Sequence, residues 1–211
     1  FGYMAGSPIF TAADNHVAGS YYLVVSNDIK NPSDLIGKKV ALGTDAEKNN
    51  PCWVQIANNL GIPVDSKKYE NFDMSNQDAY LAMKTGRLDG YLCCDPWGSM
   101  AEYEKTGHIM AAWNGLPNGE PGTCCTYGMR RDFAKEHPEL AKKMLLAHTQ
   151  ALEYVYLHPV KAAKIFAENY KVPEEVAMMT IYKKTVEEGR CLTWDVHRDR
   201  IQENYEINQS T

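Results

Sequence analysis

Two hydrophobic periods alternate along this chain, and each change of period marks an element. Ser20–Ser26, SYYLVVS, is β-branched and aromatic, bounded by Gly19 and Asn27-Asp28, and predicts a strand. Lys39–Leu42, Ser66–Tyr69, Leu88–Cys94, His108–Trp113 and Thr123–Met129 are shorter runs of the same kind between turn residues. Helical spacing appears where Trp53, Ile56, Ala57 and Leu60 recur on one face, with Asn50 as N-cap, Pro51 in the first turn and Gly61 as the stop. Met74–Thr85 before Gly86, and a segment from Pro96 to Lys105, predict two more helices.

Both ends of the chain read differently from this middle. Phe1–Met4 predicts a strand, followed by a helix from Pro8 to Val17 that Ser7 would cap. Asn114–Gly122, NGLPNGEPG, is the plainest loop. From Pro138 onward the pattern turns helical, over Pro138–Leu157, Pro159–Tyr170, Pro173–Glu188 closed by Gly189, and Trp194–Ile207.

Strands alternating with helices predict an α/β fold, and in an open α/β sheet ligands gather at the carboxyl ends of the strands. Two strands end in candidate chemistry: Gly43-Thr44-Asp45-Ala46 and Asp95-Pro96-Trp97. Thr44 offers a hydroxyl in a glycine-containing loop that lacks the nucleotide-binding pattern. Asp95 has two readings, as the cap of the following helix or as a carboxylate accepting hydrogen bonds from an amine, amidine or hydroxyl of a solute. In the second, a bare anion would be repelled. Trp97 serves equally as an apolar wall or as core. The N–H groups at the helix start by Ser7 would attract a polar or anionic atom.

Composition narrows the partners. A net charge of -5 over 211 residues offers no basic footprint, so nucleic acid is not an expected partner. Apolar runs are too short to cross a membrane. His137, His148, His158 and His197 show neither zinc-protease spacing nor a partnered nucleophile. The six cysteines include the vicinal pairs Cys93-Cys94 and Cys124-Cys125, which do not have zinc-ligand spacing, because neighbours on a strand point to opposite faces. The open readings are free buried thiols, a disulfide between one member of each pair across neighbouring strands, or a metal or catalytic role, the metal as half a site at the same meeting. No metal and no cofactor is expected.

DLIGKKVAL with its Gly-Thr loop, then AMKTGRLDGYLCCDPW, then YGMRRDFAKEHPELAKKML, taken in that order, resemble the solute-binding proteins of ABC importers in the nitrate, sulfonate, taurine and thiamine-precursor group. The resemblance covers Gly6 to Leu192. It implies a type II periplasmic-binding-protein-like fold of two lobes, each a mixed sheet flanked by helices, with two hinge crossings. The chain would divide into residues 1–27, part of the first lobe and the first crossing; 28–122, the second lobe; and 123–211, the second crossing and the helical remainder of the first lobe. The sequence would then begin inside the first lobe.

By the same resemblance, Ser7, Thr44, Asp45, Ala46, Asp95 and Trp97 would contact ligand, with Thr123 and Cys124 at the hinge. A small polar solute and the membrane permease subunits would be the partners of a monomer that is periplasmic, or extracellular and lipid-anchored. Two alternatives use the same fold. One is an enzyme similar to the suicide pyrimidine synthases with their iron, cysteine and histidine site, of whose longer cysteine motif this chain has only Cys93-Cys94. The other is a ligand-sensing domain.

Overall fold

The computed structural model describes residues 6–19, 21–113, 122–187, 191–199 and 202. Two sheets organise it: a five-stranded one in the order β4-β3-β5-β2-β6 and a three-stranded one in the order β7-β1-β8. The strands are β1 (Ile9–Val17), β2 (Tyr21–Ser26), β3 (Lys39–Ala41), β4 (Glu70–Phe72), β5 (Gly90–Cys94), β6 (Gly107–Trp113), β7 (Thr123–Arg130) and β8 (Cys191–Leu192). β3 runs parallel to β4 and β5, whereas β2 is antiparallel to β5 and β6. The five-stranded sheet is thus mixed, whereas the three-stranded sheet is antiparallel among the described residues, a correction to the mixed sheet expected in each lobe. Sheets flanked by helices in this way are those of a type II periplasmic-binding-protein fold.

The apolar run of β2 is continuous because helices cover both faces of its sheet. Alternation along the strand sends Leu23 and Val25 into a core with Trp53 and Ile56, and Tyr22 and Val24 into a second core with Ala79, Tyr80 and Met83. The helices concerned are α1 (Ala46–Asn49), α2 (Pro51–Leu60), α3 (Asn76–Lys84) and α4 (Trp97–Tyr103). Asn50 caps α2 as its sequence predicts, its side chain accepting from the Trp53 amide at 3.2 Å, and Gly61 closes the helix at φ 67°. At Gly107 a side chain would run into the Val25 carbonyl, which lets β6 lie close along β2.

The remaining helices are α5 (Arg131–Glu136), α6 (Pro138–Leu157), α7 (Pro159–Tyr170) and α8 (Glu174–Met178), the last continuing as a π-helix over Met179–Glu187. Each of α6 and α7 begins on a proline whose missing N–H costs nothing in the first turn. Ala163, Ala167 and Ala177 form their small core.

Several local expectations are corrected. Ser7-Pro8 opens no helix: Ile9–Val17 is a nine-residue strand, so Ser7 is an exposed residue before β1 and not a cap. The alternation of Ala13 with Asp14, and of His16 with Val17, between two flanking layers outweighs the capping signal. Tyr21–Ser26 is an inner strand of the five-stranded sheet rather than a crossing, since β1, which ends at Val17, lies in the other sheet. Ser66–Lys68 is a 3-10 turn, with the strand at Glu70–Phe72. Thr193 to His197 is not helical. The strand expected at Phe1–Met4, most of the loop Asn114–Gly122, Gly189, and the helix end at Ile207 lie outside the described residues.

Candidate functional site

Among the described residues, the segment leaving β1 lies beside the one entering β7: the Ala18 amide donates to the Gly122 carbonyl at 2.9 Å. The ends of β1 and β5 and the starts of β2, α2 and β7 converge there. Tyr21 stands opposite Cys94 on the neighbouring strand. The Asn50 amide donates to the Tyr21 hydroxyl at 3.3 Å while its carbonyl caps α2.

These groups are polar but uncharged. Burial pushes the Tyr21 phenol up to about 12; the Asn50 bond opposes the rise, and Cys52, Cys94 and Cys93 add to it. Burial likewise pushes the Cys52 thiol up to about 12, followed by the influence of Cys124 and Cys94. At neutral pH both remain protonated, so this wall of the junction offers hydrogen bonds without charge. From the other sheet, His16 on β1 faces Cys125 on β7, with Cys124 beside them. Cys52, Cys93, Cys94, Cys124 and Cys125 are thiols.

The residues expected to contact ligand are scattered. Cys124 is at the junction. Thr44 and Asp45 instead line a separate hollow of about 330 Å³ with Ser66, Lys67, Asn71 and Asp73, where the Thr44 hydroxyl donates to Asp73 at 2.7 Å. Ala46 is fully buried in the core against α2. Thr123 donates to the buried Asp14 carboxylate at 3.2 Å, and the Asp14 carbonyl lies 2.9 Å from Nε2 of His148. Trp97 packs on Tyr80 with ring centres 5.6 Å apart, which is the core reading.

Asp95 is the largest departure. Its carboxylate is 5% exposed and is bound by Lys184 Nζ at 3.1 Å, the Ser99 hydroxyl at 2.8 Å and the Tyr22 hydroxyl at 3.2 Å. The Ser99 amide also donates to it at 3.3 Å, but the N-cap position of α4 is Pro96, so Asp95 satisfies that amide from one residue outside the expected cap. Lys184 lies 4.2 Å from the centre of the Tyr22 ring and belongs to the π-helix, so this ion pair ties the helical half to the five-stranded sheet. Asp95 is a structural carboxylate, neutralised from within, and the hollow beside Thr44 does not include it.

His16, Tyr21, Asn50 and Lys184 were missed by sequence reasoning. Asn50 was read only as a cap, and Lys184 sits among surface-type residues of a helix. For His16 the sequence held no signal, since it fell inside a predicted helix and its neighbours come from a strand more than a hundred residues later.

Comparison with known proteins fits this architecture. Over 72 residues the chain is 31% identical to a bicarbonate transport ATP-binding protein of Synechococcus elongatus, covering 34% of this chain and 11% of that protein. The chain therefore spans about a tenth of that relative's length. Among solved structures, the alkanesulfonate-binding protein of Xanthomonas axonopodis pv. citri, bound to MOPS, superposes with a TM-score of 0.72. The identity is 16%, over 98% of this chain and 69% of that one. A desulfurization enzyme superposes with a TM-score of 0.66 at 11% identity, covering 96% and 73% of the two chains. At such identities these two likenesses carry the fold alone. The family is carried by the sequence itself: over residues 38–169 the chain matches, and it belongs to, the NMT1-like family.

Proposed function

We propose that this protein is the solute-binding component of an ABC importer, capturing a small polar solute between two lobes and presenting it to membrane permease subunits. The observation that carries this reading is the junction, where the Ala18 amide donates to the Gly122 carbonyl at 2.9 Å and Cys52, at the start of α2, is in electrostatic reach of Cys94 of one half and Cys124 of the other. A solute seated there gains polar contacts from both halves only when they are closed on it, which is how binding is coupled to closure. The three-stranded sheet with α5 to α8 is one lobe in this reading, and the five-stranded sheet with α1 to α4 the other. Thr44 and Asp45 stand on the second lobe in their own hollow, apart from the junction.

With Asp95 neutralised by Lys184, the argument against an anion loses its premise. The names of the relatives, a bicarbonate transport protein and an alkanesulfonate-binding protein, favour a small oxyanion. The protein works as a monomer on the outer side of the membrane and binds without turnover. The desulfurization enzyme of similar fold motivates the competing reading, chemistry at the same junction. A thermal-shift screen of oxyanions, sulfonates and small amines, followed by calorimetry and mass spectrometry of the recovered solute, separates the two. One compound binding saturably and returning unchanged supports the importer reading; conversion of that compound overturns it.

A further inference from the structure

Two adjacent cysteines on a regular strand point to opposite faces and cannot share a ligand. β7 is not regular where its cysteines lie. Val17 stands opposite Thr123 and His16 opposite Cys125, with the register shifting between them, so Cys124 is the extra residue of a β-bulge. A bulge re-aims the side chain it carries. Here it brings the ring nitrogen of His16 and the sulfurs of Cys124 and Cys125 to within 4.8 Å of one another, while the two sulfurs are 4.0 Å apart. Two thiolates bound tetrahedrally to zinc at about 2.3 Å stand ~3.8 Å from each other, close to that spacing.

We infer that His16, Cys124 and Cys125 form a binding site for one thiophilic metal ion, of which Zn²⁺ is the best match. Two thiolates and an imidazole are a soft donor set that selects zinc over calcium or magnesium. Three protein ligands leave a fourth tetrahedral position. Burial differs usefully across the set: His16 is 7% exposed and fixed in the ladder, whereas Cys125 is exposed and gives an ion a path in. Binding converts the two thiols to thiolates and releases two protons, with no change of oxidation state. This site shares His16 and Cys124 with the junction proposed for the solute, but its assignment requires only the β1–β7 bulge.

The test uses the whole chain, reduced with a phosphine and stripped with a chelator, titrated with Zn²⁺ against a chromophoric competitor and with Co²⁺ as a spectroscopic probe. The expected result is one ion per chain, the intense thiolate-to-cobalt band of a tetrahedral site, and proton release on binding. Cys124→Ser and Cys125→Ser should each weaken Zn²⁺ binding by more than the roughly ten- to hundredfold typical of losing only an outer hydrogen-bond partner. Cys125 is exposed, so its replacement leaves folding intact, which the thermal transition of the metal-free variant checks. Absence of stoichiometric binding by the reduced protein, or wild-type affinity in Cys125→Ser, overturns the assignment. Solute affinity measured in chelated protein reports separately on the importer reading.

Discussion

The two halves of the molecule use similar amounts of apolar sequence and bury it to different depths. In the five-stranded half, Leu23, Val24, Val25, Val40 and Trp53 are wholly buried, since helices cover both faces of the sheet. In the helical half, Leu157, Val160 and Ile165 keep more than half of their surface in solvent, Leu152 and Val176 are among its few large buried side chains, and one small cluster there is three alanines with Phe166, Met178 and Ile181 around them. Tyr154, Phe166 and Tyr170 line an open groove of about 620 Å³ between α6 and α7. Helical spacing reports which residues share a face; it does not report whether that face is covered.

The ion pair that joins the halves offers the hardest test of their difference. Lys184→Met leaves the Asp95 carboxylate buried without its cation and should cost about 3–5 kcal/mol, read as a shift in denaturant midpoint. The double variant with Asp95→Asn should recover much of that loss, because a buried pair replaced by neutral groups is far cheaper than a broken one. If Lys184→Met alone is neutral, the halves are not coupled through this contact.

Next in size is a matched pair of truncations. Ile56→Ala empties space in a packed core and should cost about 2–5 kcal/mol. Ile165→Ala, the same chemical change on the exposed face, should fall within about 0.5 kcal/mol, so equal losses at the two positions would erase the contrast.

Glu104→Gln lies between those two values. The carboxylate pairs with Lys84 at 2.7 Å and also accepts from Tyr80, linking α4 to α3. Both side chains are partly exposed, so the loss should be about 0.2–1 kcal/mol and shrink with salt. Lys84, then Tyr80, hold this carboxyl below its ordinary value of 4.5. Its folded-state pKa being lowered, the contribution is complete above about pH 4.5 and disappears as pH falls through the folded value. Wild type and Glu104→Gln should therefore converge in stability in acid.

Much of the five-stranded half was legible from short-range signals. The Asn50-Pro51 start and Gly61 stop of α2 depend on backbone geometry within a few residues, and they appear where predicted. The β2 and β5 strands were readable from β-branched and aromatic runs. β1 was not, because a Ser-Pro pair imitates a helix start and the pairing that overrides it comes from β7, far along the chain. The candidate site was less legible still. Cys124 was singled out, but His16, Tyr21 and Asn50 join it only through strand pairing and helix docking, and Asp95 was misread because its cation comes from Lys184 at the other end of the chain.

By itself the sequence determined the fold class and the places where most helices start and stop, which follow from local periodicity and capping, and the family, which follows from the order of its sequence blocks. Only the tertiary structure decided which strand ends share a junction, which carboxylate is neutralised, and that a bulge turns two adjacent thiols toward one histidine. Those outcomes depend on side chains brought together across long stretches of chain, where no local pattern records the neighbour.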